Sequence, residues 1–126
     1  MRRIAMFALA GTLAGTLAGC SIDSTGPNGS VEGSYTLRTI NGQTLPYTFP
    51  SGRRLIDDRL VLYRDGTFED LSTYSDGSTT FDEGDYENYN GAVTFYSTNG
   101  DVYQGSVSRD ILTQVLNGYT QVFERD

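Results

Sequence analysis

The chain carries two hydrophobic patterns, an uninterrupted apolar run near its start and short alternating runs over most of the remainder. Residues 4–19 are apolar or small, a run of about 16 residues that falls short of the ~20 needed for a membrane-spanning helix. From residue 32 onward β-branched and aromatic residues recur, and Gly, Asn and Asp interrupt them about every 8–12 residues. This spacing is typical of an antiparallel sandwich or barrel.

The alternation predicts nine strands, at residues 34–40, 43–49, 55–64, 67–74, 79–88, 92–98, 101–108, 110–116 and 118–124. Six Asn-Gly or Asp-Gly pairs lie between them, at Asn41-Gly42, Asp65-Gly66, Asp76-Gly77, Asn90-Gly91, Asn99-Gly100 and Asn117-Gly118. Such pairs favour hairpins because both residues tolerate the positive φ of a type I′ turn. Pro46 and Pro50 make residues 45–54 the least regular stretch, which we expect to cover one mouth of a barrel or to protect an edge.

Apolar residues share one face of most predicted strands. The inward face is expected to carry Tyr35, Leu37, Leu60, Leu62, Val93, Phe95, Leu112, Gln114, Leu116, Tyr119, Gln121 and Phe123. One apolar and one polar face is the pattern of an antiparallel sheet with a solvated side. Because closure removes exposed edges, we predict an all-β domain, a small up-and-down meander of eight or nine strands closed into a barrel.

The apolar run near the start has the layout of a secretory signal, since Met1-Arg2-Arg3 precedes it and small residues end it. The four residues Leu17-Ala18-Gly19-Cys20 resemble the bacterial lipobox. That resemblance implies cleavage before Cys20 and attachment of a diacylglycerol thioether and an N-acyl chain such as palmitate. The alternative is an uncleaved transmembrane anchor. Lipidation is favoured because Cys20 is the chain's single cysteine and a lone thiol would be a liability in an oxidising compartment.

Three segments follow from these patterns: a signal peptide over 1–19, a lipidated Cys20 with a flexible tether over 20–31, and a barrel domain over 32–126. The tether is rich in Gly, Ser and turn formers, and its reach is about 17–20 Å. We expect a monomer anchored in the cell envelope. If the envelope has two membranes, Ser21 in place of Asp after Cys20 indicates, by resemblance, the outer one.

Composition narrows the range of functions. All nine basic residues are Arg, and loss of the first nineteen residues leaves seven against sixteen acidic residues, a net charge near −9. A protein this acidic is not expected to bind nucleic acid, because such binding depends on basic residues that neutralise the phosphates. There is no His, which excludes Ser-His-Asp and Cys-His catalysis and histidine zinc ligands. We therefore expect a protein that is not an enzyme, with no cofactor and no metal.

Several short segments resemble small bacterial lipocalin-like domains. They are Gly33-Ser34-Tyr35-Thr36-Leu37, Ile40-Asn41-Gly42-Gln43-Thr44-Leu45-Pro46, Leu60-Val61-Leu62-Tyr63-Arg64-Asp65-Gly66-Thr67-Phe68, Gly84-Asp85-Tyr86, Val93-Thr94-Phe95 and Val122-Phe123-Glu124-Arg125. True lipocalins carry Gly-x-Trp in the first strand, where this chain has Tyr35, and they have longer strands and a helix. The resemblance implies a barrel that binds a small apolar ligand.

If the first and last strands pair, Arg125 is expected to lie over the ring of Tyr35 as a cation–π plug. A barrel of eight strands is either filled by its side chains or holds one small ligand. Nine Tyr and five Phe in the mature domain favour a packed core over a pocket. In the pocket alternative, the cavity is lined by Tyr35, Leu37, Leu60, Leu62, Tyr86 and Phe95.

Acidic residues cluster at Asp65, Glu69 and Asp70 and again at Asp76, Asp82, Glu83, Asp85 and Glu87. Neither a Ca²⁺ loop nor a glycosidase pair fits their spacing, so we interpret them as turn chemistry on solvated tips. The pair Arg53-Arg54 either meets an anionic ligand at a barrel mouth or, as we favour, balances Asp57, Asp58 and other acidic neighbours. Two functions remain open: an anchored barrel that binds a small apolar ligand, or a filled barrel whose outer face contacts another envelope component.

Overall fold

The structure is a computed structural model that describes residues 30–126. The predicted signal peptide, the lipidation site Cys20 and most of the predicted tether lie outside the described residues. In the described part, no helix is long and apolar enough to cross a membrane.

Ten strands follow one another along the described chain. They are β1 (Gly33–Ile40), β2 (Gln43–Thr44), β3 (Tyr47–Thr48), β4 (Arg54–Leu62), β5 (Thr67–Tyr74), β6 (Thr79–Tyr89), β7 (Ala92–Ser97), β8 (Val102–Ser108), β9 (Ile111–Leu116) and β10 (Tyr119–Arg125). Their bounds match the prediction closely, except that the predicted strand 43–49 is two short pieces. Pro46 lies between these pieces, where it cannot donate a ladder hydrogen bond.

Eight of these strands form a closed antiparallel barrel. Strands β4 to β10 pair consecutively, each with the next. Strand β1 completes the circle because it pairs with both β10 and β4, so that Tyr35 lies opposite Arg125 on one side and Leu60 on the other. Strands β2 and β3 are additions that pair with β1 and β4. The predicted all-β closed barrel is confirmed.

The six predicted hairpin turns divide into two types. The turns at Asn41, Asn90 and Asn117 have positive φ at both central residues, as type I′ requires. The other three have positive φ only at the glycine, within three-residue loops of the type I plus bulge kind. In one of them, Asp65 Oδ1 accepts the Thr67 amide at 3.0 Å. The expectation of type I′ was therefore wrong for half of them, because each of these loops contains one more residue.

The inward faces of the strands form the core. Tyr35, Leu37, Leu60, Leu62, Val93, Phe95, Leu112 and Phe123 are each at most 2% exposed. The amides Gln114 and Gln121 share this interior and are also buried. Aromatic rings fill the centre, where Phe95 stacks on Tyr103 with 5.2 Å between centroids and meets Phe68 edge-on at 5.2 Å.

Candidate ligand-binding site

One end of the barrel is covered by Arg125, whose Cζ lies 5.2 Å from the centroid of the Tyr35 ring. Tyr35 is fully buried, and its hydroxyl donates to the Val31 carbonyl at 2.6 Å. Burial raises the pKa of this hydroxyl, an effect that the charge of Arg125 opposes. The structure thus brings together the two residues that the sequence suggested for barrel closure.

The guanidinium of Arg125 also ties separate parts of the chain together. Its Nη1 donates to the Glu32 carbonyl at 2.6 Å and its Nη2 to the Arg109 carbonyl at 2.9 Å. A Cβ at Gly33 would lie 3.2 Å from Arg125 Cδ. The absence of a side chain at Gly33 therefore leaves room for the side chain of Arg125. These contacts make this end of the barrel a structural closure.

The six residues suggested as cavity lining lie in or against the packed core. Tyr35, Leu37, Leu60, Leu62 and Phe95 belong to one buried cluster, and Tyr86 is partly buried against it. The Tyr86 hydroxyl donates to the Tyr63 carbonyl at 2.6 Å, and burial raises its pKa. None of the six lines either of the two cavities described below.

Three aspartates face the barrel interior, which corrects the interpretation of the acidic residues as solvated. Asp58 on β4 is 3% exposed. Asp70 on β5 lies opposite Asp82 on β6 in the strand register, and the Oδ1 of Asp70 is fully buried. The turn residues Asp65 and Asp76 are exposed, as expected. Alternation with the inward Leu60, Phe68 and Gly84 was the signal that could have identified the inward aspartates.

A pocket of about 370 Å³ lies at one mouth of the barrel, lined by Phe49, Pro50, Ser51, Arg53, Tyr74 and Tyr119. Phe49 meets the rings of Tyr47 and Tyr119 edge-on, at centroid distances of 5.0 and 5.2 Å. The loop between β3 and β4 is held by two backbone hydrogen bonds of 2.8 Å, from the Phe49 amide to Arg53 and from the Gly52 amide to Phe49. The irregular stretch 45–54 therefore contributes a wall of fixed shape to this mouth.

Arg53 supplies the cation of the mouth pocket. Its Cζ lies 3.7 Å from the centroid of the Tyr74 ring, and its Nη2 donates to Ser78 Oγ at 3.0 Å. Hydrogen bonds from Ser78 lower the pKa of Asp76, with a smaller contribution from the charge of Arg53. Among the described residues, neither Arg53 nor Arg54 forms an ion pair with Asp57 or Asp58, whereas the charge of Arg53 acts on another acidic neighbour, Asp76.

A second depression, of about 590 Å³, runs along β8 and β9 and includes Val102, Gln104 and Val115. These three residues are exposed, so the depression lies on the outer surface of the barrel. The mouth pocket is smaller, but it combines three aromatic rings with a guanidinium. Pockets that bind small molecules typically have apolar and aromatic walls and a few placed polar groups.

A place for Arg53 at a barrel mouth was the less favoured of its two roles predicted from the sequence, and the aromatic walls were not predicted. Phe49, Tyr74 and Tyr119 come from three separate places in the chain, and only the closed barrel brings them together. Within the described residues, no group of three or more His, Cys, Asp or Glu side chains is arranged to hold a metal ion.

Comparison of the chain with models of protein families, with curated proteins and with solved structures gave no match. The fold and the site therefore define the class of protein by themselves. Residues 31–126 form a small closed antiparallel β-barrel with a buried, largely apolar core, one end covered by Arg125 and an aromatic pocket at a mouth.

Proposed function

We propose that this protein is a lipid-anchored, non-enzymatic component of the bacterial cell envelope whose lipocalin-like barrel binds a small, mainly apolar ligand in the mouth pocket. The observation that carries the proposal is the pocket of about 370 Å³ walled by Phe49, Tyr74 and Tyr119. Its volume falls within the ~300–1,000 Å³ of small-molecule sites. We expect the ligand to stay at the rim, because the core side chains Tyr35 and Phe95 have no exposed surface.

The chemistry of the walls indicates the kind of ligand. Ring faces and edges favour a flat apolar or aromatic body. Arg53 stacks on Tyr74 through the face of its guanidinium, and Nη2 donates to Ser78. We expect its other N–H groups to donate to an anionic or accepting group of the ligand at the rim. A ring system that carries one acidic substituent fits both features.

We expect the full chain in detergent to bind anilinonaphthalene sulfonate, a fluorescent aromatic anion, at the mouth pocket. Tyr119→Ala removes one wall and should weaken the affinity about tenfold, corresponding to ~1.4 kcal/mol. Arg53→Gln should weaken it about threefold, the effect of an exposed ion pair, and should leave binding of uncharged anilinonaphthalene unchanged. Fluorescence titration measures both effects.

The matched control is Tyr89→Ala, since Tyr89 is 79% exposed and does not line the pocket. Its affinity for the probe should equal that of the unaltered chain, and circular dichroism should show that all three variants are folded. Equal probe binding by Tyr119→Ala, Arg53→Gln and Tyr89→Ala would place the probe elsewhere and contradict the proposal.

The anchoring part of the proposal is supported by the lipobox resemblance at Leu17-Ala18-Gly19-Cys20 and by the apolar run before it. One acyl chain gives only marginal binding, and a second makes anchoring stable. In a bacterial host, we expect the chain to incorporate labelled palmitate and to sediment with membranes. Cys20→Ser should abolish the label, whereas Ser21→Ala should retain it. Unlabelled protein that is full-length and still membrane-bound would instead indicate an uncleaved anchor.

A second function is favoured by one observation, an exposed apolar pair on the outer face of the barrel. Leu71 and Phe81 lie opposite each other on β5 and β6 and are 43% and 57% exposed. Such a surface suits contact with another envelope component. If this function is correct, the chain should capture one specific envelope protein from its host, and Phe81→Ala should weaken that capture. The same variant should bind anilinonaphthalene sulfonate at the mouth pocket as tightly as the unaltered chain does.

A further inference from the structure

The interior of the barrel holds a cluster of acidic side chains on three adjacent strands, which we name the interior acid cluster: Asp58 on β4, Asp70 on β5 and Asp82 on β6. In the strand register Asp58 lies opposite Ser72, and Asp70 lies opposite Asp82. Asp58 is 3% exposed. An ionised carboxylate without a cation is costly in such a place, because burial disfavours the charged form.

The hydrogen bonds show how the cluster is held. Asp82 accepts from Ser97 Oγ on one oxygen and from the Tyr103 hydroxyl, at 2.6 Å, on the other. Asp58 Oδ2 accepts from Ser72 Oγ at 3.0 Å.

Asp70 completes the arrangement on the strand between the other two. Its pKa is raised well above the usual range, first by burial, then by its hydrogen bond to Asp58 and by the charges of Asp58 and Asp82. Burial also raises the pKa of Asp58, although its hydrogen bonds from Asp70 and Ser72 oppose this. Neither Asp58 Oδ1 nor Asp70 Oδ1 receives a hydrogen bond from a hydroxyl, amide or guanidinium group of the described residues.

No basic group compensates the cluster within the part of the chain that the structure describes. Its neighbours are Ser72 on β5, Ser97 on β7 and Tyr103 on β8, and the additional charge that acts on Asp58 is that of Asp57. The ion pairs of the described arginines involve Glu32, Asp110, Glu124 and Asp126 instead. A bound proton would therefore neutralise charge in the cluster where no basic side chain does.

We propose that the interior acid cluster is a proton-operated latch, in which a proton shared by Asp58 and Asp70 beside the Asp82 carboxylate holds β4, β5 and β6 together in mild acid. At higher pH that proton is lost, and like charges then lie close together inside the barrel. Their repulsion weakens the packing of β4, β5 and β6 against one another. The latch goes beyond the proposed ligand binding, and it stands whether or not the mouth pocket is occupied.

The direction of the pH effect follows from proton binding. An Asp of the unfolded chain ionises near its usual pKa of 3.8, whereas the folded cluster retains its protons to higher pH. Below pH ~4 the contribution to stability is complete, and it is lost as the pH rises through the raised folded values. The exposed Asp65, Asp76 and Asp126 have lowered pKa values, so their opposite contribution is complete by about pH 5.

The test is hydrogen exchange of the full chain in detergent between about pH 5 and about pH 8, corrected for intrinsic exchange rates. We expect protection of β4–β6 to fall at least ~tenfold relative to β9 and β10, since one unit of pKa shift corresponds to a factor of ten. In the Asp70→Asn variant the protection of β4–β6 should fall by only about threefold or less relative to β9 and β10, because the side chain at position 70 no longer loses a proton. The control Asp85→Asn removes one exposed charge from the same β6 strand and should keep the full loss.

A further measurement needs no variant. The infrared difference spectrum of the unaltered chain between about pH 6 and about pH 8 should show the carbonyl band of a protonated carboxylic acid, because exposed aspartates are ionised at both pH values and the ester carbonyls of a lipid anchor do not titrate. Absence of that band, or equal protection of β4–β6 at both pH values, would overturn the latch. Recovery of protection at about pH 8 on addition of calcium would overturn it as well, because the cluster would then be a cation site.

Discussion

Replacement of Gly84 by Ala is expected to lower the free energy of unfolding by at least ~3 kcal/mol, more than a typical overpacked core position. A Cβ at this position would lie 2.0 Å from the Tyr96 carbonyl oxygen and 3.0 Å from Ser97 Cα. Both contacts are with backbone atoms of β7, which cannot turn aside as a flexible side chain would. Strands β6 and β7 would have to separate where Gly84 pairs with Ser97, beside the interior acid cluster.

Thermal unfolding measures this effect, with an expected fall in Tm of about 12 °C or more at ~4–8 °C per kcal/mol for a domain of this size. Gly100→Ala is the matched control, since nothing lies within 4 Å of a Cβ there. Its cost is that of a left-handed residue, about 1–2 kcal/mol. If the two variants unfold at the same temperature, the close approach of β7 to Gly84 is wrong.

The second large effect is expected for Phe95→Ala, at about 3–5 kcal/mol. Phe95 has no exposed surface, stacks on Tyr103 and meets Phe68 edge-on. Removal of its ring leaves a cavity at the centre of the barrel, and the closed circle of strands limits how far the walls can collapse into it. Urea unfolding should show a lower midpoint.

The matched control makes the same substitution on the neighbouring strand. Phe81 on β6 is 57% exposed, so Phe81→Ala should change the free energy of unfolding by no more than ~0.5 kcal/mol. Similar losses for Phe95→Ala and Phe81→Ala would mean that the interior is not packed around Phe95.

Much of the barrel could be predicted because its signals are local. Strand bounds follow from alternation and turn residues, and the inward positions of Tyr35, Leu60 and Phe95 follow from the period of two. Loop details were less accessible: Asp65-Gly66 and Asn90-Gly91 are alike as dipeptides, but they form different turns. The number of residues that each loop spans depends on how its flanking strands pair.

The two functional features depend on register between distant segments. The mouth pocket joins Phe49, Tyr74 and Tyr119, which alternation treats only as separate aromatic residues. The interior acid cluster was hidden for a related reason. Alternation with Phe68 and Gly84 could have placed Asp70 and Asp82 on the inward face, but their juxtaposition depends on which residue of β5 faces which residue of β6.

The sequence by itself determined the all-β class, the order of the hairpins and the faces of their strands, because each follows from side chains a few residues apart. The resemblance of Leu17-Ala18-Gly19-Cys20 to the lipobox also comes from the sequence alone, and it is the basis for the proposed anchor in the cell envelope. Only the tertiary structure decided that β1 pairs with both β4 and β10, the condition for the predicted contact of Arg125 with Tyr35, and that three aspartates share the interior. These depend on closure, which brings together residues far apart in the chain and sets which charges lose their water.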